Sequence, residues 1–450
     1  MKMIKKFPIS FFVFFPKLRS LLLSLLLIFG LLLYACEPSG VRPSMERSPK
    51  QTDPSGRGSK GDERALQEGS FNLRQLRYHF VKHFYVPRLN ALMNETRDVL
   101  LLLETFSPSD GDLLRLKFSR IIKNYFNVVS LPTGAILENN GAFLQETWSY
   151  PYLNQCGIDQ DMARYFFTGE LPKEFLATQK GLLALDYLLF YQGDGTFCRR
   201  RLSPDLERWL TLSSQEKRRA RRQWARIVLQ DFLKQVEGVR LVWLGENYQL
   251  DWIFKGKEED LLRDWAHWLL ALESHREKYW DVFYGNSNFC RKNREVCEGR
   301  RFLHYSDLGW VAWQGLLETA FYVLVGARSE GEESIASRPL QKHKGLLHWL
   351  SDRGHSNLVK DLGEEVGKLQ GLWERAGEQY PRLMGIQGDF GQLRCDGGSA
   401  SPSVLHQSEK ETEIICQFGV SLRRLVRLIK VDLFVSLSLV YPPTHQGDND

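Results

Sequence analysis

Carboxylates, imidazoles and thiols are the side chains that can hold a metal or move a proton, so their spacing carries the first information. Asp186 lies within "QKGLLALDYLLFYQGDG", residues 179–195, in a run that is otherwise apolar from Gly181 onward. A lone carboxylate on a buried helix face is costly without a partner. Its candidate roles are catalysis, metal binding, or an internal hydrogen bond that holds the fold together. His79 and His83, in "HFVKH", are spaced i, i+4 and would share one helix face, as two metal ligands do. A zinc peptidase of the HExxH type places Glu directly after the first His; this chain has Phe80 there, and no third ligand is visible. The plain alternative is two His side chains on an amphipathic helix. His267 and His275 are a weaker pair, about 80° apart around a helix.

The basic run "KRRARRQWAR", Lys217–Arg226, is the strongest charge cluster. It reads either as a surface for anionic lipid headgroups or an acidic partner, or as a solvated helix face with Trp224 turned inward. No Gly-rich phosphate loop, nucleophile elbow or pair of carboxylates at a telling spacing occurs. "DGDLL" at 110 and "GDND" at 447 are too short for an EF-hand loop and read as a helix cap and a chain end.

These residues need helices to position them. "FNLRQLRYHFVKHFYVPRLNALMNETRDVLLLLETF", from Phe71, has the period of a long amphipathic helix interrupted near Pro87. Further helices are expected at 112–130, 159–168, 172–191 and 213–237, the last capped by Ser213 or Ser214. More follow at 258–284, 306–326, 339–351, 355–380 and 408–440. No stretch alternates long enough for a sheet, and 43% hydrophobic and 12% aromatic residues can fill a large helical core. "QKGLLALDY" at 179 is echoed by "WQGLLETAF" at 313, both Gly-Leu-Leu followed by apolar residues. The echo suggests two helical bundles in tandem, 71–238 and 258–450; the plain alternative is chance similarity between two apolar helices.

The first 35 residues are basic, without acids, and contain the apolar run "LLLSLLLIFGLLLY", short for a membrane span. Five of the 60 basic side chains lie there, against none of the 54 acidic ones, so the remaining chain is close to neutral. The basic balance therefore belongs mostly to the leader and says little about nucleic acid, which is not an expected partner for an exported protein. "LYAC", ending at Cys36, resembles the lipobox of bacterial lipoproteins. The resemblance implies a signal peptide at 1–35, diacylglyceryl and palmitate attachment at Cys36, and a membrane contact through that lipid. Glu37, in place of the Asp that retains lipoproteins at the inner membrane, favours the outer membrane. Residues 36–70, rich in Pro, Gly, Ser and charge, read as a disordered linker spanning roughly 35 Å. Six further cysteines, Cys156, Cys198, Cys290, Cys297, Cys395 and Cys416, suit disulfides in an exported protein, with sequential neighbours favoured and Cys290–Cys297 the most local.

"QKGLLALDYLLF" resembles the signature of the imelysin family, Gly-x-His-x-x-Glu followed by an aromatic and Leu-Leu-Phe. "RRLVRLIKVDLFVSLSLVYPPTHQGDND" resembles the family's C-terminal helix and Gly-Asp-rich tail. The resemblance implies an all-α pair of bundles over 71–450, with the signature near their junction, in a cell-envelope protein linked to iron uptake or peptidase activity. Gly181 matches the signature Gly, but Leu183 stands at the His position and Asp186 at the Glu position. A leucine can neither ligate a metal nor shuttle a proton. The expectation is a non-catalytic binding protein tied to iron acquisition, with an envelope protein as a candidate partner. The alternatives are a metallopeptidase whose iron or zinc sits on His79, His83 and Asp186, or an interaction scaffold without a ligand.

Overall fold

The computed structural model describes residues 71–130, 134–136, 138–149, 153–198, 203–276, 303–326, 344–384 and 409–439. All of them belong to one compact unit, Arg57–Asp450. Cys36, Cys290, Cys297 and Cys395 lie outside the described residues, as does the leader; Cys416 is in a helix, with its side chain outside the description.

No strand occurs among the described residues. The first long helix has three parts: α1 (Leu73–His79), a π-helical segment (Phe80–Tyr85) and α2 (Val86–Thr105). Asn72 and Gln75 close a capping box at its start. The interruption expected at Pro87 takes the form of the π segment. Proline has no N–H and crowds the carbonyl four residues back, and the wider turn relieves both problems; the Val86 N–H reaches the Val81 carbonyl. The chain then forms α3 (Gly111–Val129), α4 (Glu138–Trp148), α5 (Gln155–Thr168), α6 (Gly181–Phe190), α7 (Pro204–Leu210) and α8 (Ser214–Leu244). Ser213 caps α8, in a capping box with Glu216. After it come α9 (Glu246–Phe254), α10 (Glu258–His275), α11 (Gly309–Val325), α12 (Leu346–Asp352), α13 (Ser356–Met384) and α14 (Glu409–Arg427), which runs through a second π segment (Leu428–Leu433) into α15 (Phe434–Ser436).

One boundary departs clearly from the sequence pattern. The helix expected at 172–191 begins only at Gly181. Gly169 ends α5 in the left-handed region, Pro172 follows, and Gly181 itself has φ +79°. A residue with that φ cannot sit inside a right-handed helix, so the chain between is a connector.

The two glycines of the sequence echo are both points of close approach. A Cβ on Gly181 would stand 2.5 Å from the carbonyl carbon and oxygen of Thr147 in α4, and one on Gly315 would stand 2.4 Å from the Lys123 carbonyl in α3. The second contact seats α11 on α3, where Thr319 Oγ1 also donates to the Asn127 carbonyl at 3.0 Å. Helices from 71–238 and from 258–450 thus pack on each other, and their buried residues form one apolar cluster.

Candidate functional site at the signature helix

Helix α6, "GLLALDYLLF", is apolar on every side, and all its residues but Leu189 are buried. An acid placed on such a helix has no route to water. Asp186 is 2% exposed. Its carboxylate is held by two backbone donors: the Ser306 N–H reaches Oδ1 at 2.9 Å and the Tyr305 N–H reaches Oδ2 at 3.0 Å. The donors come from a tight turn just before α11, in which Leu303 and Asp307 have φ of 52° and 56°. Left-handed backbone at two non-glycine positions is uncommon and needs support. Asp186 supplies part of it, and Arg115, which donates to the Ser306 carbonyl, supplies more. Burial pushes the Asp186 carboxyl up to about 6; hydrogen bonds from Ser306 and Tyr305 pull the other way, and the Asp307 charge adds to the rise.

The next residue opens a second buried cluster. Tyr187 Oη donates to Asp159 Oδ1 at 2.5 Å, while the Thr196 hydroxyl and the Phe197 N–H donate to Asp159 Oδ2 at 2.6 and 3.0 Å. Asp159 is on α5, and Thr196 and Phe197 are in the loop after α6. Burial raises the Asp159 carboxyl above the ordinary carboxylate value, against the pull of those three hydrogen bonds and of the Arg221 charge. Burial first, and then the Asp159 charge, keeps the Tyr187 phenol protonated. Arg221 is 2% exposed and threads the same loop, donating to the carbonyls of Gly193, Tyr191 and Gly195 at 2.6, 3.3 and 3.4 Å. Its guanidinium lies 4.7 Å from the Tyr191 ring centre. The Cys156–Cys198 disulfide ties the start of α5 to the end of this loop, with Cα atoms 4.7 Å apart. Tyr305 joins the two clusters. Its N–H is on Asp186, its hydroxyl accepts from Gln155, and its ring packs 5.4 Å from both Tyr187 and Tyr191.

The other sequence candidates lie elsewhere. His79 is half-buried and His83 exposed; their rings stack with centres 5.6 Å apart. They sit where α1 and the first π segment pack on α9–α12, whereas α6 packs on α4, α5 and α8. Among the described residues no three His, Cys, Asp or Glu side chains gather to hold a metal ion. The trio His79, His83 and Asp186 therefore does not form a ligand set, and the residues at the signature do not fit an iron or zinc centre. Leu183, at the signature His position, is buried in the apolar core. His267 stacks on Phe434.

The basic run also differs from a uniform solvated face. Lys217 and Arg221 are buried, and Arg226 pairs with Glu104 at 2.7 Å. Sequence reasoning missed Asp159, Tyr187 and Arg221. Asp159 sits among the ordinary charges of an amphipathic helix, and Arg221 was hidden inside the run.

No family model and no curated protein sequence matches the chain. Solved structures do. An imelysin-like protein from Psychrobacter arcticum 273-4 aligns with a TM-score of 0.51 at 10% identity, over 82% of this chain and 96% of that one. A protein described as an iron-regulated protein A precursor, from Parabacteroides distasonis ATCC 8503, aligns with a TM-score of 0.51 at 12% identity, over 79% of this chain and 95% of that one. The coverage is nearly the whole of each relative, so the likeness is one of the complete helical architecture: the fold of this chain is the imelysin-like fold.

Proposed function

We propose that the chain is a non-catalytic binding protein of the bacterial cell envelope, anchored through a lipid on Cys36 and acting in iron acquisition. The observation that carries this reading is the engagement of Asp186. Its two carboxylate oxygens accept from the backbone of the 305–306 turn, and its helix neighbour one turn back is Leu183. A carboxylate buried in that way, beside an aliphatic side chain and with no ligand set gathered around it among the described residues, offers neither the open metal site nor the solvent-exposed proton that catalysis would use. The description of one structural neighbour as an iron-regulated protein A precursor supports an exported protein and the link to iron. No helix among the described residues is long and apolar enough to cross a membrane, which is compatible with a lipid as the means of attachment.

The test is a titration of the chain from residue 36, carrying Cys36→Ser, with Fe(II), Fe(III) and Zn(II), paired with a peptide-hydrolysis assay in the presence of each metal. Expected are no hydrolysis and no stoichiometric metal site that depends on Asp186. Hydrolysis abolished by Asp186→Ala would overturn the reading. Radiolabelled palmitate incorporated by the full chain and lost in Cys36→Ser tests the anchor separately.

A further inference from the structure

Six basic side chains crowd Lys217–Arg226 in the first turns of α8, and three are engaged by other groups of the chain. Lys217 Nζ donates to the Leu210 carbonyl at 2.9 Å, Arg221 holds the 191–195 carbonyls, and Arg226 pairs with Glu104. Arg218, Arg219 and Arg222 remain. They make no ion pair or hydrogen bond among the described residues. Arg222 stands i+4 from Arg218 and i+3 from Arg219, so three like charges share one side of the helix, an arrangement that repels itself. Burial and then the charges of Arg218 and Arg219 lower the Arg222 pKa. An anionic partner would relieve that repulsion.

The surroundings say which kind of anion. The Arg222 guanidinium lies 4.9 Å from the ring centre of Phe106, in the turn between α2 and α3. Helix α8 runs antiparallel to α2: Arg226 meets Glu104, Glu237 meets Arg97 and Arg240 meets Asn90. The start of α8 and the α2–α3 turn are therefore at the same end of the helix bundle. That end also carries three of the protein's exposed leucines, Leu101 at 63%, Leu113 at 43% and Leu116 at 51% exposure. Its acids are partly committed. Asp110 accepts from the Ser107 N–H at 2.7 Å, and Glu216 accepts from the Ser213 N–H at 2.9 Å. Asp112 is exposed. Single exposed leucines are ordinary, but exposed leucines at the same end of a bundle as arginines that make no ion pair are the chemistry of a bilayer interface, where phosphates meet acyl chains. A free phosphate ion would use the arginines and gain nothing from the leucines.

We propose that this tip, Arg218, Arg219 and Arg222 with Leu101, Leu113 and Leu116, is a docking surface for an anionic phospholipid bilayer. The guanidiniums take the headgroup phosphates and the leucines enter the headgroup–acyl boundary. Docking by this tip does not require the lipid on Cys36.

The experiment is flotation of the unlipidated chain, residues 36–450 with Cys36→Ser, on vesicles of phosphatidylcholine alone and of phosphatidylcholine mixed with phosphatidylglycerol. Every described residue of the apolar core lies in this piece, within the compact unit Arg57–Asp450. Expected is binding to the anionic vesicles only, weakened by sodium chloride. Arg218→Glu/Arg219→Glu/Arg222→Glu should reduce it at least about tenfold, and Leu113→Asp/Leu116→Asp should reduce it as well. These side chains are exposed or half-buried, and circular dichroism confirms that the variants remain folded. No binding to anionic vesicles, or equal binding by the arginine variant, overturns the proposal. So does binding abolished by inorganic phosphate at an ionic strength where sodium chloride leaves it intact, since the site would then take a free anion.

Discussion

The Oδ1 atom of Asp186 accepts a hydrogen bond from the backbone N–H of Ser306 at 2.9 Å, across 120 residues of sequence. With the Tyr305 N–H on the other oxygen, one side chain of α6 organises the turn that launches α11. Removing it leaves two N–H groups with no acceptor in a buried site. Asp186→Ala is expected to lower unfolding stability by about 2–5 kcal/mol, and Asp186→Asn, which keeps one acceptor, by about 1–3 kcal/mol. Urea denaturation followed by circular dichroism measures both. A loss under about 0.5 kcal/mol in the alanine variant would mean that the turn holds without the carboxylate.

Acidity gives the same residue a second signature. The folded-state pKa of Asp186 is raised from 3.8 to about 6. Below about pH 4 the group is protonated in both folded and unfolded chains and has no linkage cost. As pH rises from 4 to 6, the unfolded chain releases the proton while the folded chain retains it. The native state then binds more protons, so this group's contribution to stability falls with rising pH, by on the order of 3 kcal/mol at full effect. Asp186→Asn cannot titrate. The stability gap between wild type and Asp186→Asn should therefore be widest near pH 4 and narrow toward pH 7. A gap that widens with pH would show the opposite shift, a carboxylate stabilised in its charged form by the two N–H donors.

Helices announce themselves in this sequence through their 3.6-residue period, and the cap at Ser213 through the Ser-x-x-Glu spacing. The even cysteine count agreed with the Cys156–Cys198 bridge, a pair of sequential neighbours. Asp186 was conspicuous as an acid in an apolar run, but its partners were not. They are backbone N–H groups, which every residue carries, and only the fold decides which of them reach a given carboxylate. Gly181 hid a helix start, because an apolar run shows no sign of a residue at positive φ. Arg221 was obscured for a different reason. In a run of six bases each looks equivalent, and which one turns inward depends on where Trp224 and Ala220 bury the helix.

Gly181 gives a sharp test of that hidden start. It combines φ +79° with a missing Cβ that would stand 2.5 Å from the Thr147 carbonyl. Gly169 has φ +73° and open space around its missing Cβ. Gly169→Ala should cost about 1 kcal/mol, the strain of a left-handed residue alone. Gly181→Ala adds a clash with backbone that cannot move aside cheaply, for a total of roughly 3 kcal/mol or more. Thermal unfolding of the two variants side by side separates strain from contact. Equal costs would mean that α4 can retreat from α6 at little expense.

The Cys156–Cys198 bridge encloses the helix that carries Asp186, since α6 lies between the two cysteines, 42 residues apart. Closing a loop of that length restricts the unfolded chain by about 4 kcal/mol in the chain-entropy account. In the native state the bridge holds Phe197 and Thr196, whose N–H and hydroxyl cap Asp159. Cys156→Ser/Cys198→Ser should therefore cost more than loop entropy alone, because loosening that loop also weakens the buried Asp159 cluster. The added cost can be isolated with Thr196→Val. If the loop is held chiefly by the bridge, the effects of Thr196→Val and of the double serine variant will fall short of additivity by about 0.5 kcal/mol or more in denaturant unfolding. Strict additivity would mean that Arg221, through the carbonyls of Gly193 and Tyr191, keeps the loop in place whether or not the disulfide is present.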